Sequence, residues 1–397
     1  MSIYTHGKIF KEIDFKNDPR GEHMVEIIQI VDKKYRKQFV ELPLKMYKGN
    51  RYFVPPFYGD EMAMFTKKNI YAKTCDHAFF VAVRNKKVVG RIQGIIQKTF
   101  NSLYNVKQAR FCRFDCEDNQ ETANKLFEAV ENWAKSMGAE FIVGPLNYSD
   151  QEREGLLIEG FNYLSTFEEQ YNYPYYQKLI ENYGYTKDVD WFETRLFQTN
   201  QNKEVLNKLC SKALAHYNLT LANDGLTMKQ IISKYADGIF DCIDKCYSPL
   251  YGYVPTTRET RDQMIASFKL VLNEKLFTVI TNKDDEVVAC GFCVPGIGEA
   301  LQKSGGRLTP ATIVRLLKAR KHPKSVDLAL VAILPEYRKS GVSAFVVRKL
   351  QEISEMPSVQ YMETNLTLEE NSNIWTLWKR FDRIQHKRRR SYIKKFN

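Results

Sequence analysis

Arg338, Lys339 and Gly341 stand together in a turn between an apolar run and a helical pattern, a placement that suits the binding of an anion. The run Leu328 to Leu334 has the unbroken hydrophobicity of a strand buried on both faces, and Pro335 ends regular pairing just past it. From Val342 onward apolar residues recur at Val346, Leu350 and Ile353, the spacing of one helical face. The turn therefore lies at a helix N-terminus, where free backbone N–H groups and the positive end of the macrodipole favour a phosphate. Gly341 lets the backbone approach closely, the two basic side chains add charge, and a pyrophosphate fits the arrangement. An ordinary strand-turn-helix connection with a solvated basic tip is the competing reading of the same residues.

The elements around this turn occur twice. Phe79 to Ile96 reads as two strands around the polar turn at Asn85, and Phe277 to Cys293 reads likewise around Asn282. Each hairpin is followed by a strand, a helix and a strand: Ala109 to Asp115, Glu121 to Met137 and Phe141 to Pro145, then Leu328 to Leu334, Val342 to Ser354 and Val359 to Asn365. A further helix and final strand close each half, Tyr175 to Tyr183 with Trp191 to Phe197, and Asn371 to Phe381 with Arg389 to Phe396. The predicted fold class is α/β with a mixed sheet, in two tandem units. The expected division is an extension over 1–24, poorly ordered and without weight in the functional argument, a first domain over 25–198, a connecting helix within 199–218 and a second domain over 219–397.

The segment Ile333-Leu-Pro-Glu-Tyr-Arg338-Lys-Ser-Gly341-Val-Ser343-Ala344 resembles motif A of the GNAT superfamily of acyl-CoA N-acyltransferases, Arg/Gln-x-x-Gly-x-Gly/Ala. Arg338 and Gly341 match, Ser343 replaces the final small residue, and the apolar strand with its Pro-Glu-Tyr lead-in matches as well. The order of elements resembles the GNAT fold twice over. The resemblance implies acetyl-CoA or another acyl-CoA as donor, held in the second half by Ile333, Arg338, Lys339, Ser340, Gly341, Val342, Ser343, Ala344 and Asn371. It also implies an amine acceptor, a small molecule or peptide left unidentified, and no metal. In the family pattern the backbone of the central strand holds the pantetheine and the carbonyl, which corresponds here to Leu330 to Ile333. Asp115-Cys-Glu-Asp-Asn-Gln-Glu-Thr-Ala takes the place of this loop in the first half, and its carboxylates repel a pyrophosphate. Coenzyme A is therefore expected only in the second half, the first being structural or part of the acceptor pocket.

Acyl transfer to an amine also needs a group that takes the amine proton and one that protonates the thiolate. The family's Asn-x6-Tyr segment runs here from Asn371 to Trp378, so an indole, which has no useful acidity, stands where the tyrosine usually does. Glu363, late in the strand after the motif helix, and Tyr361, on the same strand face, are the candidate catalytic residues. Three functions stay open: an N-acyltransferase, a non-catalytic acyl-CoA-binding protein, and an aminoacyl-tRNA-dependent transferase or RNA binder. The last is motivated by the basic C-terminus, Lys379 to Lys395, whose competing reading is a solvated hairpin edge. Nucleic acid is a permitted partner but not the favoured one.

The net charge of +12 permits nucleic acid, an acidic membrane surface or an anionic cofactor as partner, and its sign does not choose among them. No apolar run is long enough to span a bilayer and no secretory segment opens the chain, so a cytoplasmic protein is expected. The eight cysteines read as buried free thiols, since Cys290 and Cys293 have no second pair at zinc-site spacing. Glycine-punctuated Gly144 to Phe161, with Tyr47 to Pro56, Tyr171 to Tyr176 and Leu250 to Pro255, could wall an aromatic acceptor pocket, although packed loop residues account for the same composition.

Overall fold

Asn85 and Lys86 both take positive φ, 51° and 63°, which lets the first hairpin close in two residues with the twist its strands require. The computed structural model containing that turn describes residues 24–31, 33–199, 201–338 and 341–396. Nearly all of the expected N-terminal extension, and Lys339 and Ser340 of the expected anion loop, lie outside the described residues.

The first half supplies β1 (Glu26–Gln29), β2 (Cys75–Arg84), β3 (Lys87–Gln97), β4 (Gln108–Cys116), β5 (Phe141–Gly144), β6 (Leu156–Glu159) and β7 (Thr186–Thr199). The second supplies β8 (Thr220–Leu221), β9 (Phe277–Thr281), β10 (Val287–Pro295), β11 (Ser325–Ile333), β12 (Tyr361–Thr364), β13 (Thr367–Leu368) and β14 (Phe381–Lys395). Among the described residues these join one mixed sheet in the order β1-β2-β3-β4-β5-β14-β7-β12-β11-β10-β9-β8, with β6 beside β14 and β13 beside β7. Only β4 with β5 and β11 with β12 run parallel, and each of these pairs is bridged by a helix, Gln120–Ser136 and Ser343–Ser354. The first helix buries Ala123, Leu126, Phe127 and Val130 against Ile92 and Phe111. The second buries Phe345, Val347, Leu350 and Ile353 against Val279 and Ala332.

The halves exchange their last strands. β7, which ends the first half, pairs with β12 and β13 of the second, while β14, which ends the chain, pairs with β5 and β6 of the first. β7 and β14 also pair with each other along most of their length, from Phe381 opposite Thr199 to Ile393 opposite Thr186. The basic C-terminus is thus an interior strand and not a solvated hairpin edge. From Lys387 to Lys394 its charges are met by acids from neighbouring elements: Arg388 and Arg390 by Asp190, Arg389 by Glu193, Lys394 by Glu131, and Lys387 by Glu193 and Glu363, while Lys379, Arg380, Arg383 and Lys395 are exposed. Between β10 and β11 the second half also sends helices Gly298–Gln302 and Pro310–Lys321 onto the first half, where Gln302 donates to the Arg51 and Phe53 carbonyls. No helix of the described residues is long and apolar enough to cross a membrane. All eight cysteines are buried and unpaired; Cys290 lies against Ile239 and Cys293 near Lys349, under helices on the two faces of the sheet.

Candidate functional site

β11 pairs with β12 only from Ser325 opposite Tyr361 to Leu328 opposite Thr364, and then the two parallel strands part. From Ala329 onward one edge of β11 has no partner strand, and alternate residues present their N–H and C=O groups to the gap. Three side chains meet them. Asn365 Nδ2 donates to the Ala329 carbonyl at 3.4 Å and Arg338 Nε to the Ile333 carbonyl at 3.2 Å. The Tyr247 hydroxyl donates to the Val331 carbonyl at 3.3 Å and accepts from the Val331 N–H at 3.4 Å. Side chains can be displaced from such an edge far more readily than a paired strand, so the edge is open to a ligand bearing amides.

Past Ile333 the chain makes a short 3-10 turn, Pro335–Tyr337, and reaches Gly341 at φ +84°, where a non-glycine residue would be strained. The helix Ser343–Ser354 begins there with no side-chain cap, and Val342 and Ala344 are buried at its start. The corresponding turn of the first half is built the opposite way. Asn119 caps the helix Gln120–Ser136 by accepting from the Thr122 N–H at 2.9 Å, Asp115 is held by Arg91 at 2.7 Å, and Glu117 pairs with Arg84. One helix start is closed by its own side chain and flanked by carboxylates; the other has no side-chain cap among the described residues and is flanked by Arg338.

The gap beside β11 opens into a cleft of about 630 Å³ walled by both halves. The second half contributes Tyr247, Leu250, Tyr251, Ala329, Leu330, Asn365, Leu366 and Asn371. The first half contributes Phe57, Glu61 and the continuous run Asn147 to Glu154, with Phe167, Glu168 and Glu169. Of the loops expected to wall an acceptor pocket, the Gly144 to Phe161 and Leu250 to Pro255 segments do so in part. Tyr47, Tyr171 and Tyr173 instead pack on one another in a separate aromatic cluster.

Carboxyl groups dominate the polar lining. Burial raises Asp150, although the Val254 N–H donates to it at 3.0 Å and offsets part of the effect, and burial likewise raises Glu152. Glu154 is 5% exposed, its Oε1 has no hydrogen-bond partner, and burial with Asp150 nearby holds it well above the usual carboxylate range. Glu168 is pushed up to about 7 by burial, against the opposing pull of Arg153. Two basic lining residues are already engaged: Arg113 pairs with Glu61 and donates to Asn147, and Arg153 donates to the Val54 and Phe167 carbonyls. For Glu61 this pairing overcomes burial and holds the carboxyl low.

The residues expected to do chemistry fall in two places. Arg338, Gly341, Val342, Ser343 and Ala344 assemble at the helix start, and Asn371 lines the cleft while capping the helix Ser372–Trp378. Glu363 and Tyr361 are not among the cleft-lining residues. Glu363 is 2% exposed and bonded to Lys387, His386 and Arg195; burial alone would raise it, but these partners, Lys387 foremost, hold its carboxyl well below the usual range. The Tyr361 ring lies against the Arg195 guanidinium at 4.0 Å. Glu193, Glu363 and His386 bring ligand-type atoms within 4.8 Å of one another, but the Lys387 ammonium donates to both carboxylates. Trp378 is a core residue, its Nε1 3.5 Å from Thr367 Oγ1. Sequence reasoning missed Glu168, Asn365 and Tyr247 as cleft groups. The acidic pair Glu168-Glu169 amid aromatic residues is the only local signal, and nothing in its spacing aims it at β11 of the other half.

No family model matches the chain. It is 25% identical over 312 residues to the "Bacterial ceramide synthase" of Caulobacter vibrioides, covering 77% of this chain and 79% of that protein. It is 24% identical over 373 residues to the "Protein YghO" of Escherichia coli, covering 92% and 94%. Among solved structures it resembles a tandem GNAT protein from the clavulanic acid biosynthesis pathway, with a TM-score of 0.53, 11% identity and coverage of 94% of this chain and 98% of that one. A GCN5-related glucosamine N-acetyltransferase region of a fungal multi-domain β-N-acetylglucosaminidase also matches, with a TM-score of 0.53, 10% identity and coverage of 95% of this chain and 39% of that one. The fold is that of a tandem GNAT protein.

Proposed function

We propose that this protein is an acyl-CoA N-acyltransferase whose second half holds the donor and whose inter-half cleft receives an amine. One observation carries the reading: the unpaired edge of β11 leads at one end to an uncapped, glycine-containing helix start and opens along its length into a carboxyl-lined cleft. The helix start suits a pyrophosphate, with Arg338, Ser343 and the backbone from Gly341 to Ala344 as its holders. The Ala329 and Val331 backbone groups, held by side chains and not by a strand, suit the amides of a pantetheine arm, and the Val331 N–H can polarise an acyl carbonyl once Tyr247 moves aside. The two-domain division expected from the sequence is retained as two functional units, donor half and acceptor half, despite their exchanged strands.

For the acceptor, the lining carboxyls that burial raises, Asp150, Glu152, Glu154 and Glu168, favour a cationic amine, whose charge would stabilise their ionised form, and disfavour a substrate that carries its own carboxylate. Phe57, Met64, Trp191, Leu250, Phe268 and Phe292 give the same cleft large apolar walls, which suit an amine borne on an apolar body. The resemblance to a protein named for ceramide synthesis supports a long-chain amine over a sugar or peptide. The RNA-binding reading loses much of its motive, because Lys387, Arg389 and Arg390 are ion-paired within the sheet, which leaves Lys379, Arg380, Arg383 and Lys395 as the exposed cations of that segment.

Free-thiol release with palmitoyl-CoA and acetyl-CoA, against sphinganine, glucosamine and a lysine peptide, tests the proposal. Release with sphinganine together with an N-acylated product is expected. Donor binding by calorimetry without release across the panel would favour a non-catalytic acyl-CoA-binding protein, and absence of donor binding would end both readings.

A further inference from the structure

An N-acyltransferase whose Trp378 is locked in the core and whose Glu363 is locked between cations needs its proton handling elsewhere. The amine's proton must leave as the C–N bond forms, and the sulfur must gain one as the C–S bond breaks. We propose that a single carboxyl, Glu168, supplied by the first half, carries this proton from the attacking nitrogen to the leaving sulfur. The inference rests on the N-acyltransferase reading above.

Position singles out Glu168 among the cleft carboxyls. Asn365 Nδ2 lies 3.4 Å from Glu168 Oε2 and 3.4 Å from the Ala329 carbonyl, so one amide fastens the carboxyl to the first carbonyl on the strand-unpaired edge of β11. Of the other lining acids, Glu61 is held by Arg113, Asp150 by the Val254 N–H and Gln151, Glu152 by Tyr71 and Glu169 by Arg389, while Asp60 sits beside Glu61. Glu154 sits beside Gly252 and Asp150. The charged and titratable groups that face Glu168 are Arg153, which favours its ionised form, and Glu169, Asp327 and Cys293, whose own protonation is in turn favoured by its charge. Burial places the carboxyl at about 7, where the same group can accept a proton and return it near neutral pH.

The step balances. The acceptor enters as the free amine, any ammonium proton having gone to solvent. Its nitrogen lone pair forms the bond to the acyl carbon, the nitrogen gives one proton to the Glu168 carboxylate, and the C–S bond breaks with its electron pair on sulfur. The protonated Glu168 then passes that proton to the thiolate. The products are the amide and the free thiol, with Glu168 again ionised. Asn365 is a positioning residue in this scheme.

The test combines kinetics with a titration that needs no turnover. With palmitoyl-CoA and sphinganine, Glu168→Gln should lower kcat by about 10²- to 10⁴-fold, with the Kd for palmitoyl-CoA unchanged. The acidic limb of kcat/KM, with an apparent pKa near 7 in the native protein, should vanish in this variant, be partly restored in Glu168→Asp, and shift in Asn365→Ala. Difference infrared titration of the protein alone should show a carboxyl with a midpoint near 7 that is missing from Glu168→Gln. Native turnover with an unaltered acidic limb in Glu168→Gln, or a Glu168 midpoint in the ordinary glutamate range, would overturn the proton-carrier role while leaving the N-acyltransferase reading intact. Failure of the native protein to bind palmitoyl-CoA would overturn both.

Discussion

Glu154 and Glu363 are both buried glutamates, yet their surroundings push them in opposite directions. Glu154 has an unpartnered Oε1 and Asp150 nearby, so burial keeps it protonated well above the usual range. Below the ordinary glutamate pKa both folded and unfolded chains hold this proton; above it only the folded chain does. Stability therefore falls as pH rises, until the folded group ionises too. Glu154→Gln should match the native protein in urea unfolding at pH 4 and be more stable at pH 8, and a constant difference across that range would contradict the assignment. Glu363, held low by Lys387, His386 and Arg195, contributes stability that is present above the ordinary glutamate pKa and lost as pH falls through its folded value. Its partner gives the larger effect. Lys387→Met leaves the Glu193 and Glu363 carboxylates buried without their shared cation, and should destabilise by about 3–5 kcal/mol at neutral pH, read as a lowered urea midpoint.

At the scale of elements, the two strand-turn-helix units show what local chemistry can and cannot announce. The cradle at Arg338 and Gly341, the acidic turn at Asp115 to Asn119 and both hairpins were legible because turn residues, charge and apolar period are local properties of the chain. Glu168 was not, because its significance comes from lying against β11, which is distant in sequence and belongs to the other half. The same limit hid Tyr247, whose hydroxyl meets Val331, and misdirected attention to Glu363, whose strand position suggested a base while its ion partners lay in β14 and β7. The cradle itself makes a direct prediction. Gly341→Val places a β-branched residue at φ +84°, which costs on the order of 1–3 kcal/mol or forces the loop to move. Palmitoyl-CoA affinity should fall at least about tenfold, a loss of roughly 1.4 kcal/mol, whereas Asn119→Ala in the first half should leave that affinity unchanged. Equal losses in the two variants would break the asymmetry.

For the whole molecule, the exchanged strands decide how its two halves depend on each other. β14 sits between β5 and β7, in the interior of the sheet, although it is the last of the described strands in chain order. Removing residues 381–397 would strip a partner from both β5 and β7 and leave Glu193, Glu363 and Asp190 without Lys387, Arg388, Arg389 and Arg390. This coupling was invisible in the sequence, since the order of elements is the same whether each final strand returns to its own half or crosses to the other. It also shapes the cleft, because β7 brings Trp191 to the wall while its neighbour β12 leads into Asn365 and Leu366. A fragment of residues 24–199 would keep β7 but lose both strands that flank it, leaving long unpaired edges prone to association. Expressed alone, that fragment and its complement 203–397 should each aggregate or unfold without a cooperative transition. Co-expressed, they should form a one-to-one complex that binds palmitoyl-CoA. A fragment 24–199 that is monomeric and unfolds cooperatively by itself would show that the exchanged strand can fold back, and that the shared sheet is not what holds the donor and acceptor walls together.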